Sequence, residues 1–542
     1  MSRTLVTNAR IFTANLPGDG AEWAEALVVD GEVLAYVGDA TGAAAAAGAD
    51  AEVLDLGGRL VMPGFLDVHT HLHMLGDALG RVQLRDAGDL GEIQARLRAG
   101  RDADPEAPRL LGVSWLFDAV PGGAPTRQMI DEAVADVPVY LDANDLHSTW
   151  VNTAALAELG ITRDTPDPIG GRIGRDADGE PDGMLYETAT QFFVWRFLAE
   201  QTTDADRDAA VERALDAYVA AGVTGAADMA FGELELASIE RVVARRGGEL
   251  PFHLVAYWLI DNTGDDAQNL AQVARAAELA QRPDASGVQV VGIKLITDGV
   301  IDACTAAMKE PYADGSNEDP IWPYAQMAPV VAAADAAGLQ IALHAIGDLA
   351  SESALDALEH AAEVNGDRPR RHRIEHLEYA APGTAERMAR LGVTASMQPV
   401  HCDPAVMDNW IAQLGDARAD RGFAWSEYRD AGALLAFSTD APTAPHEALA
   451  NLYIAATRRS ALDPSLEALT PQYALPLGEA VGHATRDAAA SIREEHVRGR
   501  LTAGLAADFA VLDADPFAVG DAALLEARVI RTVVGGRTAF EA

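Results

Sequence analysis

The sequence predicts an α/β fold: a (β/α)8 TIM-type barrel with a small β-sandwich domain built from both termini and an inserted subdomain after the first barrel strand. Short apolar β-type runs alternate with Ala-rich amphipathic stretches such as AQMAPVVAAADAAG, which is the pattern of parallel strands joined by helices. Eight such runs occur, the number that closes a barrel of this kind. They cover residues 61–69, 222–229, 252–258, 290–297, 339–344, 372–376, 393–398 and 434–439.

The two ends of the chain share a different pattern. The pieces TLVTNARIFTA and ALVVDGEVLAYVG near the start, and EARVIRTVVGGRTAF near the end, are rich in β-formers. The Asp-Gly and Gly-Gly pairs that interrupt them are typical of hairpin turns. We therefore predict that residues 1–60 and 495–542 form one small sheet, beside a barrel of residues 61–494.

The interval from about residue 82 to residue 205 is too long for a single connection between a strand and a helix. It contains strand-like pieces of its own, RLLGVSW and PVYLDAND, and a hairpin rich in Gly and Asp. We predict that this interval is the inserted subdomain.

Composition limits the classes of partner. Lys and Arg total 41 against 83 Asp and Glu, a formal charge of -42, which excludes nucleic acid and an anionic membrane surface as expected partners. Two cysteines, Cys304 and Cys402, are too few for a disulfide framework. No run of 18 apolar residues and no secretory leader pattern occurs. We expect a soluble, cytoplasmic protein that acts on a small molecule.

The first predicted barrel strand ends in GFLDVHTHLH. Alternate residues of a strand share a face, so His69 and His71 point the same way with Cα atoms about 6.6 Å apart. Two imidazoles at this separation can converge on one metal ion. His73 continues the alternation but falls in the following loop, and we leave it out of the predicted site.

Three further polar residues stand at the ends of predicted strands: His344 in IALHAIGD, His376 in RIEHLEY and Asp440 in AFSTDAP. The carboxyl ends of the strands are where barrels of this kind assemble their active sites. Imidazole and carboxylate are ligands that suit Zn²⁺, Mn²⁺ or Fe²⁺. The joint placement predicts a divalent metal site.

The fourth predicted strand, VVGIKLITDGV, has Lys294 in the middle of an apolar run. Burying a lone ammonium costs on the order of several kcal/mol, so the charge must be compensated or removed. One interpretation keeps Lys294 as an amine that is paired with Asp298 or another acid. The other gives the side chain a chemical role.

In this order, the motifs PGFLDVHTHLH, GIKLITDG, HAIGD, RIEH, STDAP and GRLTAGLAADFAVLDADP resemble the metal-dependent amidohydrolase superfamily. The chain is most similar to the branch of YtcJ-like proteins and N-substituted formamide deformylase, nearly from end to end. The resemblance implies one or two divalent ions, with Zn²⁺ the expected metal, held by His69, His71, Lys294, His344, His376 and Asp440. It also implies that Lys294 is carboxylated by CO₂ to a carbamate, which bridges the metals in binuclear members.

The resemblance implies hydrolysis of a C–N bond in an amide, N-substituted formamides included, by attack of a metal-bound hydroxide. Asp440 is then the catalytic general base, which passes the proton to the leaving amine. His147 and His401 resemble residues around the substrate, and either can help to polarise the scissile carbonyl. Trp115 is expected to bind the substrate by lining an apolar pocket together with Trp150, Phe231 and Trp322, and the alternative is that these aromatic residues pack in a hydrophobic core.

Other functions stay open. The same metal centre can act on an ester, a carbamate or a cyclic amide, or deaminate a heterocycle. A barrel that serves only as a scaffold is a different class, although all six ligand positions are present. The resemblance also implies a homodimer. The chain departs from the branch at GVTGAADMA and at HAIGDLA, where apolar residues replace polar ones.

Overall fold

The structure is a computed structural model that describes residues 3–143, 148–168, 171–282 and 287–542. Eight parallel strands pair in chain order, and the ladder that they form is nearly closed into a barrel. The barrel prediction is confirmed. The barrel strands, numbered here from first to eighth, are Phe65–Thr70, Val223–Phe231, His253–Leu259, Gln289–Ile296, Gln340–Ala345, Arg373–His376, Thr394–Met397 and Leu435–Phe437.

The predicted start of the first barrel strand is wrong. The apolar run 61–69 belongs to two strands, because residues up to Pro63 finish a long strand of the terminal sheet and the barrel strand begins at Phe65. Gly64 lies between them, where a Cβ atom would come within 2.2 Å of the Thr224 side chain. The chain changes sheets at a residue that has no room for a side chain.

The barrel strands read as continuous apolar runs because both of their faces are buried. Inside, Leu66, Val68, Met229 and Tyr257 form one hydrophobic core. Around the strands lie helices whose apolar face packs inward. In the helix Asp266–Ala280, for example, Val273, Ala276 and Leu279 are buried, and the Asp265 side chain caps the amino end. The helices that follow the second to eighth strands are Glu233–Arg245, Asp266–Ala280, Tyr324–Ala336, Asp348–Asn365, Thr384–Leu391, Asp408–Leu414, Asp416–Ala419, Trp425–Ala431, Ala448–Thr457, Leu477–His483 and Arg486–Ser491.

Strands from both termini form one eight-stranded sheet. The N-terminal and C-terminal parts join where Glu52–Pro63 pairs antiparallel with Phe509–Leu512. The two-layered sandwich arrangement stays a prediction. This sheet contains Thr4–Phe12, Trp23–Ala24, Ala26–Asp30, Val33–Gly38, Glu52–Pro63, Phe509–Leu512, Val529–Val534 and Arg537–Glu541, with helices Ala40–Ala47 and Pro516–Val519 in the same segments.

Residues 73–214 form a second compact unit, which contains the predicted insertion. The unit extends beyond the predicted bounds of the insertion at both ends. The segments at its two ends contact each other, and Arg213 Nε donates to the Gly76 carbonyl at 2.8 Å. Its six-stranded sheet contains Val82–Gln83, Leu110–Trp115, Val139–Ala143, Ser148–Val151, Gly171–Arg175 and Pro181–Glu187. Its helices include Leu90–Ala103, Arg127–Asp131, Thr153–Glu158 and Arg196–Gln201, while Leu72–Leu79 and Asp204–Ala220 cross its limits. Among the described residues, no helix is long and apolar enough to cross a membrane.

Candidate metal centre

Three of the predicted ligands converge at the carboxyl ends of the barrel strands. One ligand atom each of His69, His376 and Asp440 lies within 4.8 Å of the others, and all three residues are buried. His69 is in the first strand, His376 ends the sixth, and Asp440 follows the eighth by three residues. Three distant segments of the sequence thus meet at one point inside the barrel.

The backbone at two of these residues is in the left-handed region, with φ 76° at His376 and 60° at Asp440. A residue other than glycine pays about 1–3 kcal/mol for such a conformation, which persists only where the surroundings impose it. Here the Asp440 N–H donates to the His69 carbonyl at 2.8 Å, and the His71 N–H donates to the Ala441 carbonyl at 3.0 Å. These bonds fix Asp440 beside both histidines.

His71 and His344 complete the group of imidazoles. His71 Nε2 lies 3.0 Å from Asp440 Oδ1, and its Nδ1 is buried without a hydrogen-bond partner among the described residues. The His344 ring centroid is 4.4 Å from that of His376. His344 Nε2 lies 3.2 Å from the Gly299 carbonyl and donates to it, which leaves Nδ1 as the nitrogen with a free lone pair.

Lys294 is 2 % exposed, and its Nζ lies 3.2 Å from His69 Nε2. Burial lowers the pKa of Lys294 to about 8, although the carboxylates of Glu375 and Asp440 act to raise it. The alternative partner, Asp298, accepts instead from the backbone N–H groups of Ala307, Ile346 and Gly347 at 2.9–3.1 Å. Within the described residues, Lys294 forms no ion pair with Asp298.

Electrostatics keeps the imidazoles of His69, His344 and His376 neutral and the aspartate ionised. Burial lowers the pKa of His69 to about 4 and that of His344 to about 3, with repulsion from Lys294 adding to both. Burial also lowers the pKa of His376 well below its usual value. Burial acts to raise the pKa of Asp440, but His69 and His71 overcome this and hold it well below its usual range. Neutral imidazole and ionised carboxylate are the forms that bind metals.

The donor set fits a borderline divalent ion such as Zn²⁺. Asp440 Oδ1 is buried, and none of its neighbours among the described residues meets the geometry of a hydrogen bond, despite the short contacts to His71 and His69. A buried acceptor without a partner is costly, and a cation would satisfy it together with His71 Nδ1 or Nε2.

Two residues that the sequence reasoning missed orient the imidazoles. Glu375 Oε2 lies 2.7 Å from His69 Nδ1, and Gln398 Oε1 lies 2.9 Å from His376 Nδ1. Partners of this kind typically fix the tautomer of a ligating histidine. The signal that singled out Lys294, a charge inside an apolar strand, does not mark Glu375, because three of the four residues of its strand RIEH are polar.

The two histidines that were predicted to lie around the substrate differ in what can be said of their position. The His401 ring stacks on that of His376 with centroids 5.9 Å apart, and His401 Nε2 lies 3.6 Å from Asp440 Oδ2. His401 therefore borders the centre. His147 lies outside the described residues.

That Trp115 binds the substrate stays a prediction, although its surroundings are those of a core residue. Trp115 is fully buried in the hydrophobic core of the 73–214 unit, 5.2 Å from the Trp150 ring. Its indole N–H donates to the Leu141 carbonyl at 3.0 Å, so both its apolar and its polar parts are used within the core. Phe231 and Trp322, also expected at the pocket, are almost completely buried.

An eight-stranded parallel barrel with histidines and an aspartate at its strand ends defines a class, the metal-dependent barrel hydrolases. The chain belongs to the amidohydrolase family, whose model matches residues 52–540. The resemblance seen in the sequence is confirmed.

Named relatives agree with this family. The chain is 30% identical over 504 residues to YtcJ of Bacillus subtilis (strain 168), a protein named as an amidohydrolase, with 91% of each chain covered. It is 27% identical to N-substituted formamide deformylase of Arthrobacter pascens over 566 aligned positions, which cover 100% of this chain and 99% of that protein. The crystal structure of an uncharacterized metal-dependent hydrolase from Pyrococcus horikoshii OT3 matches with TM-score 0.77 and 26% identity, covering 96% of this chain and 99% of that one.

Proposed function

We propose that this protein is a metal-dependent hydrolase that cleaves the C–N bond of a small amide, with N-substituted formamides the first candidates. The observation that carries the proposal is the convergence of His69, His376 and Asp440 within 4.8 Å. The alignment with N-substituted formamide deformylase along nearly the whole length of both chains supports the choice of these first candidates.

The residues that would hold the metal are His69, His71, His344, His376, Asp440 and a carboxylated Lys294. A divalent ion bound by them supplies a water of lowered pKa and an electrophile for the scissile carbonyl. Zn²⁺ is the expected ion because imidazole nitrogens dominate the donor set.

Asp440 is the general base of the proposed reaction. Its carboxylate is ionised, buried and fixed by the bond from its own N–H to the His69 carbonyl. It takes a proton from the attacking water and gives it to the departing amine nitrogen, so that the amine leaves neutral. His401, 3.6 Å from Asp440 Oδ2, is placed to donate a hydrogen bond to the carbonyl oxygen as negative charge develops there.

Carboxylation of Lys294 accounts for its burial. The ammonium first loses one proton, and the neutral amine then adds to CO₂ and releases a second proton, which leaves an anion with two oxygen donors. Burial lowers the pKa of Lys294 to about 8, and this increases the fraction of neutral amine near pH 7. As a carbamate the side chain would be compensated by a divalent ion, whereas as an ammonium it has no carboxylate partner among the described residues.

The test combines metal content with a substrate panel. Purified wild-type protein is expected to contain Zn²⁺ or another divalent ion and to hydrolyse at least one formamide or simple amide in a panel that also includes esters, carbamates and cyclic amides. His376→Ala should lose both the ion and the activity. His496→Ala, which removes an exposed histidine, should keep both. Activity that survives in metal-free protein would contradict the proposal.

A further inference from the structure

The sixth barrel strand carries a buried ion pair between Arg373 and Glu375 next to the proposed metal centre. We infer that Glu375, held by Arg373, is a positioning residue that keeps the proton of His69 on Nδ1 and thereby keeps Nε2 available as the metal ligand. The inference rests on the proposed function, because it takes His69 as a metal ligand.

The two carboxylate oxygens of Glu375 are both engaged. Oε1 accepts from Arg373 Nε at 2.5 Å, and Oε2 accepts from Arg373 Nη2 at 3.1 Å. Oε2 also lies 2.7 Å from His69 Nδ1. An ionised carboxylate only accepts hydrogen bonds, so Nδ1 must be the donor. A neutral imidazole has one N–H, and Nε2 is then left with its lone pair.

Arg373 cannot turn to release this carboxylate. Its Nη2 donates to the Val68 carbonyl at 2.8 Å and to Ser396 Oγ at 2.7 Å, and its guanidinium lies over the Tyr257 ring at 5.5 Å. These contacts come from the first, seventh and third barrel strands. Because Val68 precedes His69 in the chain, one guanidinium fixes both the backbone and the ring orientation of the ligand.

The surroundings of Nε2, on the opposite side of the imidazole, show why the proton of His69 has to be kept on Nδ1. His69 Nε2 lies 3.4 Å from Asp440 Oδ1, so a proton on Nε2 could bond to that carboxylate instead. In this second tautomer the N–H would occupy the position where a metal ion must bind. The Glu375 carboxylate selects the first tautomer because its contact with Nδ1, at 2.7 Å, is shorter than the 3.4 Å contact between Nε2 and Asp440 Oδ1.

Glu375→Gln tests the inference because a glutamine amide has only one oxygen and cannot accept hydrogen bonds from His69 and Arg373 in the way that the two carboxylate oxygens do. If the NH₂ group replaces Oε2, it donates to His69 Nδ1 and moves the imidazole proton to Nε2. If it replaces Oε1, it faces the Arg373 Nε–H, donor against donor. We expect the affinity of metal-stripped protein for Zn²⁺, measured by chelator competition, to fall about 10- to 100-fold.

Asp335→Asn is the matched control. The Asp335 carboxylate also accepts from a buried histidine, His372, at 3.0 Å, but at the amino end of the same strand. It should lower the melting temperature and leave Zn²⁺ affinity unchanged. If wild type itself binds no Zn²⁺, the proposed function fails. If wild type binds Zn²⁺ and Glu375→Gln binds it equally well, the positioning inference alone is overturned.

A spectroscopic readout separates positioning from general destabilisation. In metal-free protein labelled with ¹⁵N-histidine, the His69 signal is identified as the one missing in His69→Gln. We expect an Nδ1–H tautomer in wild type and an Nε2–H tautomer in Glu375→Gln. An Nε2–H tautomer in wild type overturns the inference even if the variant does not fold, and so does a folded variant that keeps both the Nδ1–H tautomer and the wild-type affinity for Zn²⁺.

Discussion

The barrel contains two buried clusters of histidine, carboxylate and cation, one at each end of its sixth strand. At the amino end, Asp335 accepts from His372 Nε2 at 3.0 Å, from Arg370 at 2.9 and 3.0 Å, and from Asn365 Nδ2 at 2.9 Å. At the carboxyl end, His71 Nδ1 and Asp440 Oδ1 are without hydrogen-bond partners among the described residues. The two clusters contain similar residue types, but they differ in whether their buried polar atoms have hydrogen-bond partners.

The difference separates a structural cluster from a binding one. Buried polar groups normally find partners, and a saturated network holds the elements that it joins. His372 illustrates this, because its Nδ1 accepts from the Ile341 N–H at 3.2 Å while its Nε2 bonds to Asp335. At the carboxyl end, an imidazole nitrogen and a carboxylate oxygen lack hydrogen-bond partners among the described residues, which is what the proposed metal site requires.

Lys294→Ala should give the largest effect, because it removes a proposed metal ligand from the cluster at the carboxyl end of the barrel. We expect metal content to drop and kcat/KM to fall about 1,000-fold, since the bound metal supplies several kcal/mol of transition-state stabilisation. A short carboxylic acid such as propionate should restore part of both by replacing the carbamate. Metal analysis and kinetics with and without the acid check this.

Lys309→Ala is the control for that variant. Lys309 is the only other lysine in the chain, and it forms a surface ion pair with Glu352. It should behave as wild type. Two metal ions retained by Lys294→Ala would count against a carbamate bridge.

Asp335→Asn should lower stability strongly and leave metal content unchanged. Removing one partner of a buried network leaves uncompensated groups and costs about 3 kcal/mol. Urea unfolding of the metal-free proteins measures the difference. A loss of Zn²⁺ in this variant without a change in stability would mean that the two clusters are not separate.

Trp115→Phe should act on stability alone. The change removes the indole bond to the Leu141 carbonyl and leaves a small void in the core, which costs about 1–2 kcal/mol. We expect KM to stay at the wild-type value because the side chain packs inside the 73–214 unit. A raised KM with unchanged thermal stability would return Trp115 to the substrate site.

The smallest effect is a pH dependence of the saturated cluster. Burial acts to raise the pKa of Asp335, but bonds from His372, Arg370 and Asn365 hold it well below its usual range. Its stabilisation is therefore complete above about pH 4, the usual value in the unfolded chain, and is lost as pH falls further. The difference in unfolding free energy between wild type and Asp335→Asn should be constant near neutrality and shrink below about pH 4. A difference that grows on acidification would contradict this assignment.

The sequence was sufficient for the barrel and for the convergence of His69, His376 and Asp440, because these residues fall at or just after the ends of predicted strands, and parallel strands bring such ends together. It was insufficient for Glu375, whose role depends on His69, 306 residues away in the chain. For Trp115, the sequence does not distinguish a hydrophobic core from a substrate pocket, since an aromatic residue in a β-type run is compatible with both. The first strand was started too early because the apolar run continues through Gly64 from one sheet into another.

The most direct test of the contrast between the two clusters is anomalous diffraction at the zinc edge from crystals of Zn²⁺-loaded protein. We expect one or two strong peaks among His69, His376 and Asp440, extra density on Lys294 Nζ, and no peak at Asp335. Absence of a peak at the carboxyl end, or a peak at Asp335 instead, would contradict this expectation.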